Sequence, residues 1–121
     1  MSLSGKQLGR TGEKAAARFL KSRGYSLVEV NYQTRHFEID IIAKDADTLC
    51  FIEVKTRSNL KKGLPREAIL PAKQQKIIMG ASFYLKKNNL FNQRVRFDVV
   101  EVLYSGDTPQ ITLIPNAFQG D

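Results

Sequence analysis

The chain has 121 residues, enough for one hydrophobic core and too few for two. With 42% hydrophobic and 26% charged residues it has the balance of a globular domain, and no run approaches the ~18–20 apolar residues of a membrane span. The polar start "MSLSGK" shows no signal-peptide h-region, and one cysteine, Cys50, excludes an internal disulfide, so a reducing cytoplasmic location is the expectation.

The net charge of +7 is unevenly spread. Residues 1–24 hold six Lys or Arg against Glu13 alone, and residues 54–88 hold nine against Glu67 alone. The stretch between them, 29–53, is rich in acids. Basic flanks of this kind suit a polyanion such as nucleic acid, and suit a solvated basic surface equally well.

From Gly5 to about Arg23, the residues Leu8, Ala15, Ala16, Phe19 and Leu20 recur at helical spacing, and Gly24 is a natural stop. Lys6, Arg10, Lys14, Arg18 and Lys21 occupy the opposite arc, and Glu13 falls on the boundary between the two. "YSLVEVNY" predicts a first strand and "FEIDIIA" a second, and a turn at Asp45–Asp47 leads into a third, "TLCFIEVKT". His36 is expected to be a surface strand residue, and Cys50, inside an apolar run, a small buried hydrophobe. "SNLKKGLP" reads as a basic loop. Pro71 suits the first turn of a helix running to about Asn88, with Ile77, Ile78, Ala81, Tyr84 and Leu85 on its apolar face. "VRFDVVEVLY" is a long strand and "QITLI" a short partner for it. The order predicts one α+β or mixed α/β domain over 1–121, an antiparallel meander with helices attached. Its core spans about 5–104, with a hairpin strand and tail over 105–121.

Within "FIEVKTR" the alternation of a strand sends Phe51, Glu53, Lys55 and Arg57 to one face, and Ile52, Val54 and Thr56 to the other. If the second and third strands pair through their turn, Asp40 and Glu53 become lateral neighbours. On the second strand Asp40 should share a face with Glu38 and Ile42, opposite Phe37, Ile39 and Ile41. Half-buried carboxylates cost several kcal/mol unless they are paired or metal-bound. One lysine neutralises one of them, and Glu13 on the first helix can add a third. Glu13, Asp40 and Glu53 are hard oxygen donors of the kind that hold Mg2+ or Mn2+ together with a phosphate oxygen. Lys55 would stand beside the attacking water, and Arg57 or Lys73 could hold a neighbouring phosphate. One Cys and one His cannot build a structural zinc site.

The stretches "GEKAAARFLKSRGY", "EVNYQTR", "EIDIIAKDADTLCFIEVKTR" and "RFDVVEV" resemble the PD-(D/E)XK nuclease superfamily. They resemble more closely a bacterial YraN-like family related to archaeal Holliday junction resolvases. The resemblance implies a restriction-endonuclease-like αβββαβ core whose central mixed sheet is flanked by helices. It makes Glu13, Asp40 and Glu53 the acidic ligands of a divalent ion and Lys55 the catalytic lysine. Lys73 matches a basic position of the family. The implied activity is metal-dependent endonucleolytic hydrolysis of DNA, branched or repair-associated structures included. Arg10, Lys14, Arg57, Lys61, Lys62 and Lys73 are then the candidate nucleic-acid contacts. Resolvases of this superfamily work as dimers, which makes a homodimer an expected assembly, with Phe91, the edge of "VRFDVVEVLY" or the tail "NAFQGD" as candidate contacts. The family places Gly before the E-I-D triplet where this chain has Phe37, a change expected to narrow the mouth of the site. Two other readings stand beside the nuclease: a nucleic-acid-binding module that keeps the acids without turnover, and a salt-bridge network in a basic domain.

Overall fold

The computed structural model describes residues 5–58, 69–106 and 108–120. Along the chain come α1 (Gly5–Ser22), β1 (Ser26–Gln33), β2 (Glu38–Asp45), β3 (Thr48–Arg57), α2 (Pro71–Lys87), β4 (Arg94–Tyr104) and β5 (Pro109–Phe118). The five strands form one sheet in the order β1-β2-β3-β4-β5. It is mixed: β3 and β4 run parallel and every other neighbouring pair is antiparallel. The expected meander is therefore interrupted at its centre. A parallel pair needs a crossover, and α2 supplies it. The result is the expected α/β architecture, consistent with a restriction-endonuclease-like core, and β5 is about twice as long as the "QITLI" segment.

The helices cover opposite faces of the sheet. Ile77, Ala81 and Tyr84 of α2 pack with Ile39, Ile42, Phe51, Phe97 and Val99. Ala16 and Leu20 of α1 pack with Ile41, Ile52, Val54, Val100 and Val102. Alternation along β3 produces this division, because Phe51 and Ile52 are consecutive and face different helices. Gly24, at φ 92°, ends α1, and the N–H of Tyr25 reaches back 3.0 Å to the Leu20 carbonyl. Pro71 begins α2 after Leu70, whose side chain makes no cap.

Gly12 sets how closely α1 approaches the sheet. A Cβ there would collide with the Thr56 side chain on β3, whereas one at Gly9 would meet nothing within 4 Å. The helix thus touches the strand that carries Glu53 and Lys55, one residue before Glu13.

The β1–β2 ladder shifts register between Leu27 and Glu29, and the β4–β5 ladder between Phe97 and Val99. Two left-handed asparagines each lie beside a buried or half-buried aspartate: Asn31 (φ 56°) on β1 opposite Asp40, and Asn116 (φ 51°) in the β5 bulge beside Asp98. Asp98 is fully buried and accepts the Asn116 N–H at 2.8 Å. Arg96 grips both its oxygens, with Nε 2.9 Å from Oδ1 and a terminal nitrogen 2.9 Å from Oδ2. The same guanidinium reaches Tyr25 Oη at 2.7 Å and Asp45 at 3.2 Å. Every partner a buried carboxylate requires is present.

Three further expectations change. Ile39 and Ile42 share one face while Ile41 joins Ala43 on the other, so the β2 alternation slips at Asp40. That slip lies opposite the left-handed Asn31, where a regular pleat cannot continue. Strand β4 is interior, between β3 and β5, so "VRFDVVEVLY" offers no edge for a dimer. His36 lies in the β1–β2 turn rather than on a strand. Cys50, by contrast, is buried as expected, and burial pushes its thiol up to about 12.

Substituting Gly12→Ala is expected to destabilise the chain by about 1–3 kcal/mol through overpacking. Gly9→Ala should stabilise it by about 0.5–1 kcal/mol through helix propensity. Urea unfolding of the two variants separates them by sign. Asp98→Ala leaves the Asn116 N–H without its acceptor and the Arg96 guanidinium with Asp45 and Tyr25 alone, and should cost roughly 1–3 kcal/mol in the same assay.

Candidate functional site

The ladder between β2 and β3 ends at Ile41–Ile52. Beyond it β3 stays paired to β4 as far as Arg57–Leu103, and β2 stays paired to β1 as far as Glu38–Gln33. The sheet therefore forks between β2 and β3. Continuing the register by one step sets Asp40 against Glu53, as the turn length predicts. At the fork the Asp40 side chain replaces a backbone acceptor: the Val54 N–H donates to its Oδ2 at 2.8 Å. Asp40 thus projects sideways toward β3, and the otherwise orphaned strand amide is satisfied.

The fork opens a cleft of about 480 Å3. Glu38 and Asp40 line it from β2, and Glu53 and Lys55 line it from β3. A stripe of α1 at helical spacing, Lys6, Gly9, Arg10 and Glu13, forms one wall, and Lys73 of α2 enters from another side. Lys73 Nζ stands 3.8 Å from Glu53 Oε2. This ion pair had no signal in the sequence, since the two residues meet only through the α2 crossover.

The electrostatics are those of acids crowded together and withdrawn from water. Glu53 is 7% exposed, and burial first, then the charge and hydrogen bond of Asp40, push it up to about 8 against the pull of Lys73 and Lys55. Burial and the same Asp40, with Glu38 adding repulsion, push Glu13 up to about 7, and Arg10 pulls it back. Lys73 does not close the gap: its side chain is 42% exposed and its contact is long. Asp40 is the shared member of two carboxyl pairs, one with Glu13 and one with Glu53.

The donor set suits a hard divalent cation, because its members are converging carboxylate oxygens, and burial together with the neighbouring Asp40 makes Glu13 and Glu53 hold their protons tightly. Among the described residues, no group of three or more His, Cys, Asp or Glu side chains stands ready to hold an ion by itself. Mg2+ is usually bound by one or two carboxylates with waters and phosphate oxygens, and Asp40 with Glu53 meets that requirement.

The other expected contacts divide. Arg10 and Lys73 line the cleft; Lys14 is exposed on α1 and Arg57 is partly buried at the end of β3, and neither lines it. Lys61 and Lys62 lie outside the described residues. Phe37 does not narrow the cleft. Its ring packs on Phe83 of α2 at 5.8 Å, and a Cβ on Gly80 would come within 3.1 Å of its own Cβ, so it turns to the α2 side. Sequence reasoning passed over Glu38 and Lys6 as site residues, although Lys6, Arg10 and Glu13 at i, i+4 and i+7 carried the signal.

Comparison with known proteins follows the same stretch of chain. The model of the uncharacterised protein family UPF0102 matches residues 12–102, from the glycine that touches β3 to the end of the β4 core. A UPF0102 protein of Desulforapulum autotrophicum is 54% identical over 95% of each chain. One from Clostridioides difficile is 47% identical over 96% of this chain and all of its own. One from Geobacter metallireducens is 42% identical over 98% of both.

The raised acids make a pH prediction. Glu53 goes from an ordinary value of 4.5 to about 8 in the folded chain, so between these values the folded state holds the proton more tightly than the unfolded state. Stability should be greatest below pH 4.5 as far as this group is concerned and should fall as pH rises to 8, by at most about 1.4 kcal/mol per pH unit for each net proton. Thermal melts in EDTA should show the fall, and Glu53→Gln should flatten it.

Proposed function

The chain belongs to the uncharacterised protein family UPF0102, and from its own side chains we propose that it is a divalent-metal-dependent endonuclease of the PD-(D/E)XK type, acting on DNA. One observation carries the reading. Where the β2–β3 ladder ends, Asp40 and Glu53 stand side by side in a lysine-rimmed cleft with Glu13 beside them, and burial and mutual repulsion push Glu13 and Glu53 upward despite the cations around them. A salt-bridge network built for stability would be closed, as it is around Asp98. This set is left open.

Asp40 and Glu53 would hold Mg2+ or Mn2+, and Glu13 adds charge through Asp40. When bound, the ion supplies Lewis-acid stabilisation of the charge that develops on a phosphate oxygen. Lys55, two residues beyond Glu53 on the same face, orients the attacking water and stabilises charge at the phosphate. Water adds to phosphorus, the bond to one sugar oxygen breaks, and the products are a phosphomonoester and a hydroxyl. Lys6 and Arg10 on the α1 wall hold the flanking phosphates, and Gly9 between them lets the strand approach the helix backbone. Lys73, close to Glu53, balances the carboxylate.

Mn2+ binding followed by calorimetry should strengthen from pH 6 to pH 8 with release of protons, because the ion displaces them from the acids. With Mn2+ the chain should nick branched or nicked DNA. Glu53→Gln and Asp40→Asn should lower the rate at least ~100-fold without unfolding the chain. DNA binding without metal binding or cleavage of branched, nicked or single-stranded substrates would instead leave the non-catalytic binding module.

A further inference from the structure

Beside the acid cleft lies a second depression of about 330 Å3, lined by Thr34, Arg35, His36, Phe37, Lys73 and Lys76, with Gln33 and Glu38 at its border. We infer that this groove is a binding site for a phosphodiester of the same nucleic-acid strand, lying outside the scissile position, with Arg35, Lys73 and Lys76 as its cations. The inference rests on reading the acid cleft as a phosphodiester site.

Continuity is the first argument. Gln33, Glu38 and Lys73 line both cavities, so the groove opens directly from the cleft. A polyanion seated over Glu53 that leaves past Lys73 enters it. Charge is the second. Three permanent cations face the groove against one acid, Glu38, whereas in the cleft four acids, Glu13, Glu38, Asp40 and Glu53, stand against four cations, Lys6, Arg10, Lys55 and Lys73. The cleft thus suits the place where a cation shields a phosphate, and the groove suits a phosphate that must be neutralised by protein alone.

Preorganisation is the third argument. The β1–β2 turn is tied by its own Thr34: its N–H donates to the Phe37 carbonyl at 2.8 Å, and its hydroxyl oxygen accepts the Phe37 N–H at 3.0 Å and the His36 N–H at 3.3 Å. Phe37 then anchors the turn on Phe83 of α2. Arg35 and His36 are left exposed at the tip of a turn fastened at its base. Lys73 and Lys76 are spaced i, i+3, so one side of α2 presents both to that tip. Phe37 thus fixes the groove rather than obstructing the cleft.

The test is duplex DNA binding in EDTA, followed by fluorescence anisotropy across a salt series. Arg35→Ala/Lys76→Ala should weaken binding roughly tenfold and reduce the salt slope by about 0.9, the share of the one phosphate that is no longer neutralised. Lys21→Ala/Lys44→Ala, which removes the same charge away from both cavities, should leave the slope unchanged, and Arg35→Lys/Lys76→Arg should restore it. Equal losses in the two alanine pairs overturn the groove. A chain that cleaves DNA with Mn2+ while the groove pair keeps the full slope overturns the groove alone. A chain that cleaves nothing, yet loses its slope only in the groove pair, overturns the chemistry and upholds the groove.

Discussion

One hydrogen bond organises the candidate site. By accepting the Val54 N–H at 2.8 Å, the Asp40 carboxylate stands in for the backbone carbonyl that a continuing β2 would have offered. Without an acceptor that amide would be a buried orphan, at a cost of about 1–3 kcal/mol, and the strands would have reason to stay zipped. With it, β2 can part from β3 after Ile41, and the space so opened is the cleft. The group that props the fork open is also one of the acids inside it. Structure and candidate chemistry therefore share a side chain, and only a substitution that keeps an acceptor for the Val54 N–H, such as Asp40→Asn, can separate them.

The same device recurs at Asp98, with a different outcome. Both aspartates take a backbone N–H beside a left-handed asparagine where the ladder is irregular. Around Asp98 the rest of the carboxylate is filled by Arg96, which Tyr25 and Asp45 hold in turn. Around Asp40 the neighbours are two more carboxyls, and burial pushes both upward. Identical backbone roles thus end in opposite electrostatics. Asp98 is a finished network, and Asp40 belongs to an unfinished one.

Much of the site was legible in the sequence, for physical reasons. The two-residue link between Asp45 and Thr48 fixes the β2–β3 register, and that register alone brings Asp40 to Glu53. Helical spacing on α1 places Glu13 between its apolar and basic arcs. The slip in alternation at Asp40 was not legible, because it depends on Asn31 adopting φ 56° on a different strand. Nor was the Lys73–Glu53 contact, which exists only once the crossover has brought α2 over the sheet. The Arg96–Asp98 pair did have a sign: it repeats on β4 the i, i+2 spacing of Glu53 and Lys55, and its acid sits within "FDVV". Charge in so apolar a run requires a partner on the same face.

The fork also has a consequence for how the chain matures. Residues 53–57 have lost β2 as a neighbour, so their ladder is the parallel one to β4, whose residues lie 46 positions later. Such pairing closes slowly, since a long loop must be ordered before any bond is gained. A nascent chain that stops short of Arg94 can zip its β2–β3 hairpin only as far as Ile52, with the segment bearing Glu53 and Lys55 in no ladder. The β2–β3 register by itself can set Asp40 beside Glu53, yet the stretch from Val54 to Arg57 gains its ladder only with β4. An incomplete product of synthesis would carry every cleft residue and still lack the strand that holds Lys55 in place.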